Sequence, residues 1–102
     1  MVTKAKVQPG LAIPPGYLIV EELEARGISQ AELARRMGRP KNAVNEICKG
    51  KKEITAQTAL ELEAVLGIDA ETWMNLEGSY RLALARGKPH IDQLEEMKPA
   101  ED

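Results

Sequence analysis

Five glycine residues divide most of this chain into short helical segments. Each glycine follows a stretch in which aliphatic residues recur every three or four positions, the spacing of one face of an α-helix. No stretch shows the alternation of apolar and polar residues typical of a half-buried strand. A chain of 102 residues is long enough for one compact domain and too short for two ordinary ones. The pattern therefore predicts an all-α domain of five helices. The glycines that end them are Gly27, Gly38, Gly50, Gly67 and Gly87.

Aliphatic residues must supply the core of this domain. Hydrophobic residues make up 43% of the chain, whereas aromatic residues make up only 3% and phenylalanine is absent. A core of Leu, Ile, Val, Ala and Met suits packed helices better than sheets. The composition therefore agrees with the all-α prediction.

Reactive and metal-binding residues are scarce. Cys48 is the only cysteine, so no internal disulfide can form, and His90 is the only histidine. We therefore expect no metal site and no cofactor. The chain also lacks a nucleophile with a base at hand and a phosphate-binding glycine loop, which argues against an enzyme. No apolar run approaches the roughly 18 residues that a membrane span needs, and the expected location is the cytoplasm.

Capping residues predict where the helices begin. Ser29 and Glu32 have the spacing of a capping box, in which each side chain bonds the other residue's free backbone N–H. Thr55 and Asp69 are placed to cap the fourth and fifth helices. Pro40 fits the first turn of the third helix, where a missing N–H costs nothing.

Proline and polar residues mark the two ends of the chain. Pro9, Gly10 and Pro14 interrupt the first residues, and the last fifteen, KPHIDQLEEMKPAED, are polar and acidic. We therefore predict a flexible arm over residues 1–14, a helical domain over 15–87 and an acidic flexible tail over 88–102.

Positive charge is concentrated in one part of an acidic chain. The net charge is −2, yet residues 35–52 hold seven basic residues and a single acidic one, Glu46, for a local charge of +6. The rest of the chain therefore carries −8. This polarity favours a polyanion on one face and a different partner elsewhere, although chance clustering on a solvated helix is the alternative. We expect Glu46 to pair with a nearby basic side chain or to turn away from phosphate, and not to contact a cytosine.

The second and third predicted helices have the spacing of a helix-turn-helix. Ala34 is small enough for the two helices to cross closely, and Gly38 supplies the tight turn between them. Val44 and Ile47 would bury the inner side of the third helix. Its outer side would then present amide and basic side chains, which suit base edges in the major groove and phosphates.

This part of the chain resembles a known family. The stretch SQAELARRMGRPKNAVNEICKGKKEIT resembles the helix-turn-helix of the Cro/repressor-type (XRE) DNA-binding proteins, which have a lambda-repressor-like fold. The stretches PPGYLIVEELEARGISQAELA, NEICKGKKEITAQTALELEAVLG and AETWMNLEGSYRLA are similar to the HigA-type antitoxins. One difference is Pro40, which replaces the Ser or Thr that caps the third helix in many members.

The resemblance implies a five-helix DNA-binding antitoxin. Members of this family dimerise, bind a palindromic operator upstream of their own operon and repress it. They also bind and neutralise a RelE-like mRNA-cleaving toxin. The implied partners are therefore double-stranded operator DNA, a RelE/HigB-like toxin and a second copy of the chain.

The resemblance also implies which residues touch DNA. Family base contacts come from the exposed start of the third helix, and the start of the second helix touches phosphate or a base edge. Basic residues after the third helix would lie along the DNA backbone. The predicted DNA-binding residues are Gln30, Arg39, Lys41, Asn42, Ala43, Asn45, Lys49, Lys51, Lys52 and Thr55.

The fifth helix carries two apolar sides. Trp73, Leu76, Tyr80 and Leu84 form a stripe that we expect to pack in the core. A second side, with Met74, Leu82 and Ala85, predicts a dimer seam, because one small domain has only one core to serve.

Two other functions remain open from the sequence. One is an XRE-type transcriptional regulator without a toxin partner. The other is a protein-interaction module whose basic patch only keeps it soluble. Salt-dependent binding to duplex DNA would separate the module from either regulator.

Overall fold

The computed structural model describes residues 12–88 of the chain. Five helices follow one another without a strand in this part of the molecule, so the all-α prediction is confirmed. None of these helices has both the length and the apolar character to cross a membrane. The tail beyond residue 88, including His90, and the first eleven residues of the arm lie outside the described residues. The helices are α1 (Gly16–Arg26), α2 (Gln30–Met37), α3 (Lys41–Cys48), α4 (Ala56–Leu66) and α5 (Ala70–Ala85).

The packed part of the chain begins earlier than the sequence indicated. Ala12 and Pro14 are buried, and the Pro14 carbonyl accepts a hydrogen bond from the Tyr17 N–H at 3.0 Å. The prediction of a flexible arm over residues 1–14 is therefore wrong for these two residues. Pro14 packs against Gly50, which follows the end of α3. A Cβ added to Gly50 would lie only 3.0 Å from the Pro14 Cβ.

Ser29 and Thr55 form the predicted N-caps, but the second bond of the capping box, from the Ser29 N–H to the Glu32 carboxylate, is not found within residues 12–88. The Ser29 hydroxyl accepts a hydrogen bond from the Glu32 N–H at 3.0 Å, and the Thr55 hydroxyl accepts one from the Thr58 N–H at 3.2 Å. Each bond satisfies a backbone donor that has no partner within its own helix. The start of α2 and the start of α4 are thus encoded locally.

The start of α5 is capped by a different residue from the predicted one. Asp69 occupies the N-cap position, but its side chain makes no capping hydrogen bond. The Glu63 carboxylate, which belongs to α4, accepts from the Ala70 N–H at 3.1 Å instead. The packing of α4 against α5 brings this carboxylate over the first turn of α5, where it also lies at the positive end of the helix dipole.

Pro40 precedes α3 and does not lie inside its first turn. Its backbone is extended, with φ −65° and ψ 151°, and α3 begins at Lys41. The Pro40 carbonyl accepts hydrogen bonds from Ala43 and Val44, but no side chain caps this end of the helix. The expected loss of a side-chain cap at α3 is therefore confirmed.

Each of the five helices contributes to the core at least one large side chain that is almost completely buried. These residues are Ile19, Leu33, Val44, Leu62 and Trp73. The Trp73 indole N–H donates to the Ile68 carbonyl at 3.1 Å, so its one polar group is satisfied inside the core. Cys48 is buried beside this cluster, and its burial raises the pKa of the thiol to about 11. Both residues serve the core, as the sequence indicated.

The unexpected cap of α5 predicts unequal effects of two substitutions. Glu63→Ala is expected to lower the free energy of unfolding by about 1 kcal/mol, because the Ala70 N–H loses its acceptor. Asp69→Ala removes no capping bond and is expected to cost only about 0.3 kcal/mol, through the helix dipole. Urea unfolding followed by circular dichroism measures both. An Asp69 effect as large as that of Glu63 would contradict this account of the cap.

Candidate nucleic-acid interface

The orientation of α3 is set by its buried inner side. Val44, Ile47 and Cys48 are almost completely buried. The first residue of α1, Gly16, lies directly against the end of α3: a Cβ there would come within 2.0 Å of the Cys48 carbonyl oxygen. Because that contact is with backbone, α3 cannot move aside for a side chain. The outer edge of α3 is therefore directed away from the protein.

A tight turn joins α2 to α3, as the helix-turn-helix spacing predicted. Gly38 has a φ of 75°, the left-handed region that a glycine adopts without strain. The Arg39 N–H donates to the Ala34 carbonyl at 2.9 Å, which closes the end of α2. Ala34 is 2% exposed, and α2 and α3 pack against each other along this stretch.

The exposed start of α3 carries most of the predicted base-contacting side chains. Lys41 and Asn42 are exposed, whereas Ala43 and Asn45 are half-buried. The Asn45 amide donates to the Gln30 side-chain oxygen at 3.2 Å. The structure therefore brings together two predicted DNA-binding residues fifteen positions apart, at the start of α2 and on α3. Their hydrogen bond holds the Asn45 amide in one orientation before any DNA arrives.

The loop that follows α3, residues 49–53, is here called the anchor loop. Lys49, Lys51 and Lys52 are exposed on it. The backbone N–H groups of Lys51 and Lys52 both donate to the Glu46 carbonyl, at 2.9 and 3.2 Å. The backbone of this loop is therefore tied to α3, while its three ammonium groups form no ion pair within residues 12–88.

Gly50, a residue of the anchor loop, contacts α5. It is buried with a φ of 77°, and a Cβ there would come within 2.7 Å of the Tyr80 hydroxyl. Its carbonyl accepts from the Tyr80 hydroxyl at 3.5 Å and from the Arg81 guanidinium at 3.4 Å. The Glu77 carboxylate, 7% exposed, holds Arg81 in place. Sequence reasoning missed this cluster, although the spacing of Glu77 and Arg81 is that of an i,i+4 ion pair.

Two of the predicted core residues of α5 are less buried than expected. Trp73 and Tyr80 are buried, but Leu76 and Leu84 are only half-buried. Glu77, which lies between Trp73 and Tyr80 in the sequence, is buried instead of Leu76, and Arg81 compensates its charge.

The arginines of the basic segment have acidic partners within the protein. Arg35 and Arg36 both bind the Glu32 carboxylate, and hydrogen bonding by Arg35, followed by that of Arg36, lowers the pKa of Glu32 to about 2. Arg39 binds Glu61 through two hydrogen bonds of 2.5 and 3.2 Å. The local charge of +6 therefore overstates the free positive charge of this segment.

Lysines provide the remaining positive charge at the edge of α3. Within residues 12–88, none of four lysines forms an ion pair with an acidic side chain. These lysines are Lys41, Lys49, Lys51 and Lys52. A role for Arg39 in DNA contact stays a prediction. Its guanidinium would have to bind Glu61 and DNA at the same time. Thr55, another predicted contact, is exposed although its hydroxyl caps α4.

Comparison with known proteins identifies the type of domain. Residues 19–73 match the family model described as "Helix-turn-helix" (HTH_3). The virulence-associated protein I of Dichelobacter nodosus is 39% identical over 72% of this chain and 69% of its own length.

Two solved structures share both the fold and part of the sequence. An addiction module antidote protein of the HigA family from Coxiella burnetii is 32% identical with a TM-score of 0.69, over 88% of this chain and 98% of that one. The Pseudomonas aeruginosa antitoxin HigA, solved with the higBA promoter, is 33% identical with a TM-score of 0.68, over 86% and 96% of the two chains. The second of these relatives was thus captured on DNA.

The Arg39–Glu61 pair predicts a pH-dependent contribution to stability. Hydrogen bonding by Arg39, with a smaller contribution from Gln57, lowers the pKa of Glu61. A carboxylate with a lowered folded-state pKa stabilises the fold above its unfolded pKa of about 4.3, and this stabilisation is lost as the pH falls through the folded value. A double-mutant cycle with Arg39→Gln and Glu61→Gln is expected to give a coupling of about 0.5–1 kcal/mol at pH 7.

Urea unfolding at pH 7, 5, 4 and 3 would follow this coupling. The coupling should be unchanged between pH 7 and 5 and should decline below pH 4. A coupling of equal size at every pH would show that the pair contributes through packing and not through the charge of Glu61.

Proposed function

The chain belongs to the helix-turn-helix family of Cro/repressor (XRE) type, within its HigA-type group, and we propose that it is a sequence-specific DNA-binding antitoxin. In this proposal it represses its own operon and neutralises a RelE-like mRNA-cleaving toxin encoded there. Its place of action is the cytoplasm, where the operator lies. Its role is binding and not catalysis.

The observation that carries the proposal is the outward edge of α3. An exposed asparagine, Asn42, lies on this edge, and four lysines at the start of α3 and in the anchor loop have no acidic partner in the described part of the chain. An amide can pair bidentately with adenine, and ammonium groups neutralise phosphates. An amide on the outer edge of α3 and ammonium groups at its start and in the loop that follows it are the side chains that a major-groove reader needs.

The toxin part of the proposal rests on family membership and on charge. Outside residues 35–52 the chain carries −8. Glu21 and Glu24 are exposed on α1, away from the lysine-rich segment in sequence. An acidic surface of this kind complements a basic RNA-cleaving protein.

The test of the proposed function is purification of the chain expressed from its native operon. A short basic protein should co-purify with it, and the complex or the free chain should retard a DNA fragment from upstream of the operon in a gel shift. Binding to the fragment without a co-purifying protein would instead support an XRE-type regulator that has no toxin. No retardation of upstream DNA at low salt would overturn the DNA-binding role.

The side chains of this interface are predicted to divide into two functional groups. Asn42→Ala and Asn45→Ala should each weaken operator binding by roughly 1–3 kcal/mol and relax sequence preference, because base contacts specify sequence. Lys51→Ala should weaken operator and unrelated DNA about equally and reduce the salt slope by roughly 1. Anisotropy titrations with both duplexes over a salt series measure these effects. Equal behaviour of the two groups would argue against the division.

A second copy of the chain is the proposed partner for the outer side of α5. Met74 and Leu82 are 39% and 50% exposed, and Ala85 is also exposed. Met74 and Leu60 additionally line an open groove of about 360 Å³ between α4 and α5. Apolar side chains of this size on one helix favour a symmetric seam, and a dimer would present two α3 edges to half-sites about one DNA turn apart.

A charge placed in this seam should dissociate the dimer. Leu82→Glu is expected to weaken dimerisation at least about tenfold, because a buried carboxylate without a partner costs more than about 1.4 kcal/mol. Thr72→Glu is the control, since Thr72 is exposed on another side of α5. Sedimentation equilibrium measures both variants. If Leu82→Glu remained as dimeric as Thr72→Glu, the seam would have to lie elsewhere.

A further inference from the structure

Glu46 lies on the edge of α3 that is directed away from the core. Val44, Ile47 and Cys48 define the inner side of this helix. With about 100° of rotation per residue, Asn42 and Glu46 lie within about 30° of the opposite direction. Both are exposed, whereas Asn45 is half-buried beside Gln30. An α3 that enters a major groove by this edge therefore carries Glu46 in with Asn42.

The Glu46 carboxylate has no partner in the described part of the chain. Glu32, Glu61 and Glu77 each bind an arginine. Glu46 forms neither an ion pair nor a side-chain hydrogen bond within residues 12–88. Of the two sequence-based expectations for Glu46, pairing with a nearby basic side chain is therefore wrong within these residues, and the other, turning away from phosphate, stays a prediction. Its backbone carbonyl accepts hydrogen bonds from the N–H groups of Lys51 and Lys52 in the anchor loop.

A free carboxylate at this position is selective because it only accepts hydrogen bonds. Phosphates repel it, and so do the exposed acceptors of guanine (O6 and N7) and thymine (O4). Adenine presents its N6 donor next to the N7 acceptor. Cytosine presents the N4 amino group, which is the base edge that a glutamate side chain matches.

We infer that Glu46 is a specificity-determining residue, which accepts a hydrogen bond from the N4 amino group of a cytosine in each half-site. This inference rests on the proposed DNA-binding function. The lysines around Glu46 attract any duplex, whereas its carboxylate repels a duplex that offers no donor at this position. Glu46 thus lowers the affinity for unrelated DNA and favours one base pair in the operator.

The test is selection from a pool of duplexes with randomised bases, so that the protein itself identifies the sequence it binds. The full chain, Glu46→Gln and Glu46→Ala are each used for selection. Glu53→Gln is the control, because Glu53 is an exposed acid beyond the end of α3 whose one ion pair, with Arg81, is long at 4.0 Å. Competition titrations then compare four duplexes that differ only at the selected base pair, and thermal unfolding verifies that each variant is folded.

The inference predicts a change in sequence preference and not only in affinity. The unaltered chain should favour cytosine at one position per half-site by roughly fivefold to a hundredfold. Glu46→Ala should lose this preference, and Glu46→Gln should lose it or shift it to adenine, the partner of an amide. Glu53→Gln should keep it. Both glutamine variants should bind unrelated DNA more tightly by similar factors, since each removes one negative charge.

Other outcomes overturn one proposal or both. If the unaltered chain selects a defined sequence and the Glu46 variants keep every base preference, the role of Glu46 is refuted and the proposed function stands. The same conclusion follows if Glu53→Gln changes the preference as Glu46→Gln does. If the unaltered chain enriches no sequence, the sequence-specific function fails together with the inference.

Discussion

The contact between the start of α1 and the end of α3 determines which side of α3 faces the solvent. Gly16 lies so close to the Cys48 carbonyl that a Cβ would approach it within 2.0 Å. Rotating α3 by one residue would break this contact and carry Val44 from the core into water, at a cost of roughly 1.5–3 kcal/mol for that side chain alone. The apolar inner side and the backbone contact therefore act together. They keep Asn42 and Glu46 outward in the free protein, so that the proposed interface needs no rearrangement of α3 to meet DNA.

The two kinds of cation in the basic segment have separate tasks. Arg35, Arg36 and Arg39 bind carboxylates within the protein, and two of these arginines share Glu32. A guanidinium is planar and can hold a carboxylate with two bonds, which suits a fixed internal pair. The lysines keep compact, hydrated ammonium groups at the ends of flexible stems, which suits phosphates whose spacing varies along a duplex. An acidic chain can therefore present a positive edge, because its acids neutralise these arginines, while Lys41, Lys49, Lys51 and Lys52 have no acidic partner among the described residues.

Much of this fold could be predicted because its signals are local. The N-cap at Ser29 and the left-handed glycine at the end of each helix or one residue beyond it act within a few residues of the features they determine. The helix-turn-helix spacing also places Ala34 and Val44 in the core correctly.

Contacts between distant residues left no such signal. Glu61 lies twenty-two positions from Arg39, and Glu63 caps α5 only because α4 packs against it. Asp69, the adjacent residue with the usual capping chemistry, was therefore the wrong prediction. Glu46 could not be assigned from sequence either, because several basic neighbours were available to it and only the folded geometry of residues 12–88 shows that none of those described binds it.

The cluster around Gly50 connects the proposed DNA edge to the proposed dimer seam. Tyr80 and Arg81 reach the Gly50 carbonyl from α5, and Glu77 keeps Arg81 in position. The same helix carries Met74 and Leu82 on its outer side. A partner bound along α5 therefore sits on the element that holds the anchor loop. Because helix α5 and the Gly50 turn are both tightly packed, a dimer built on α5 would transmit its geometry directly to the two anchor loops. The distance between half-sites would then follow from the seam and not from a flexible linker.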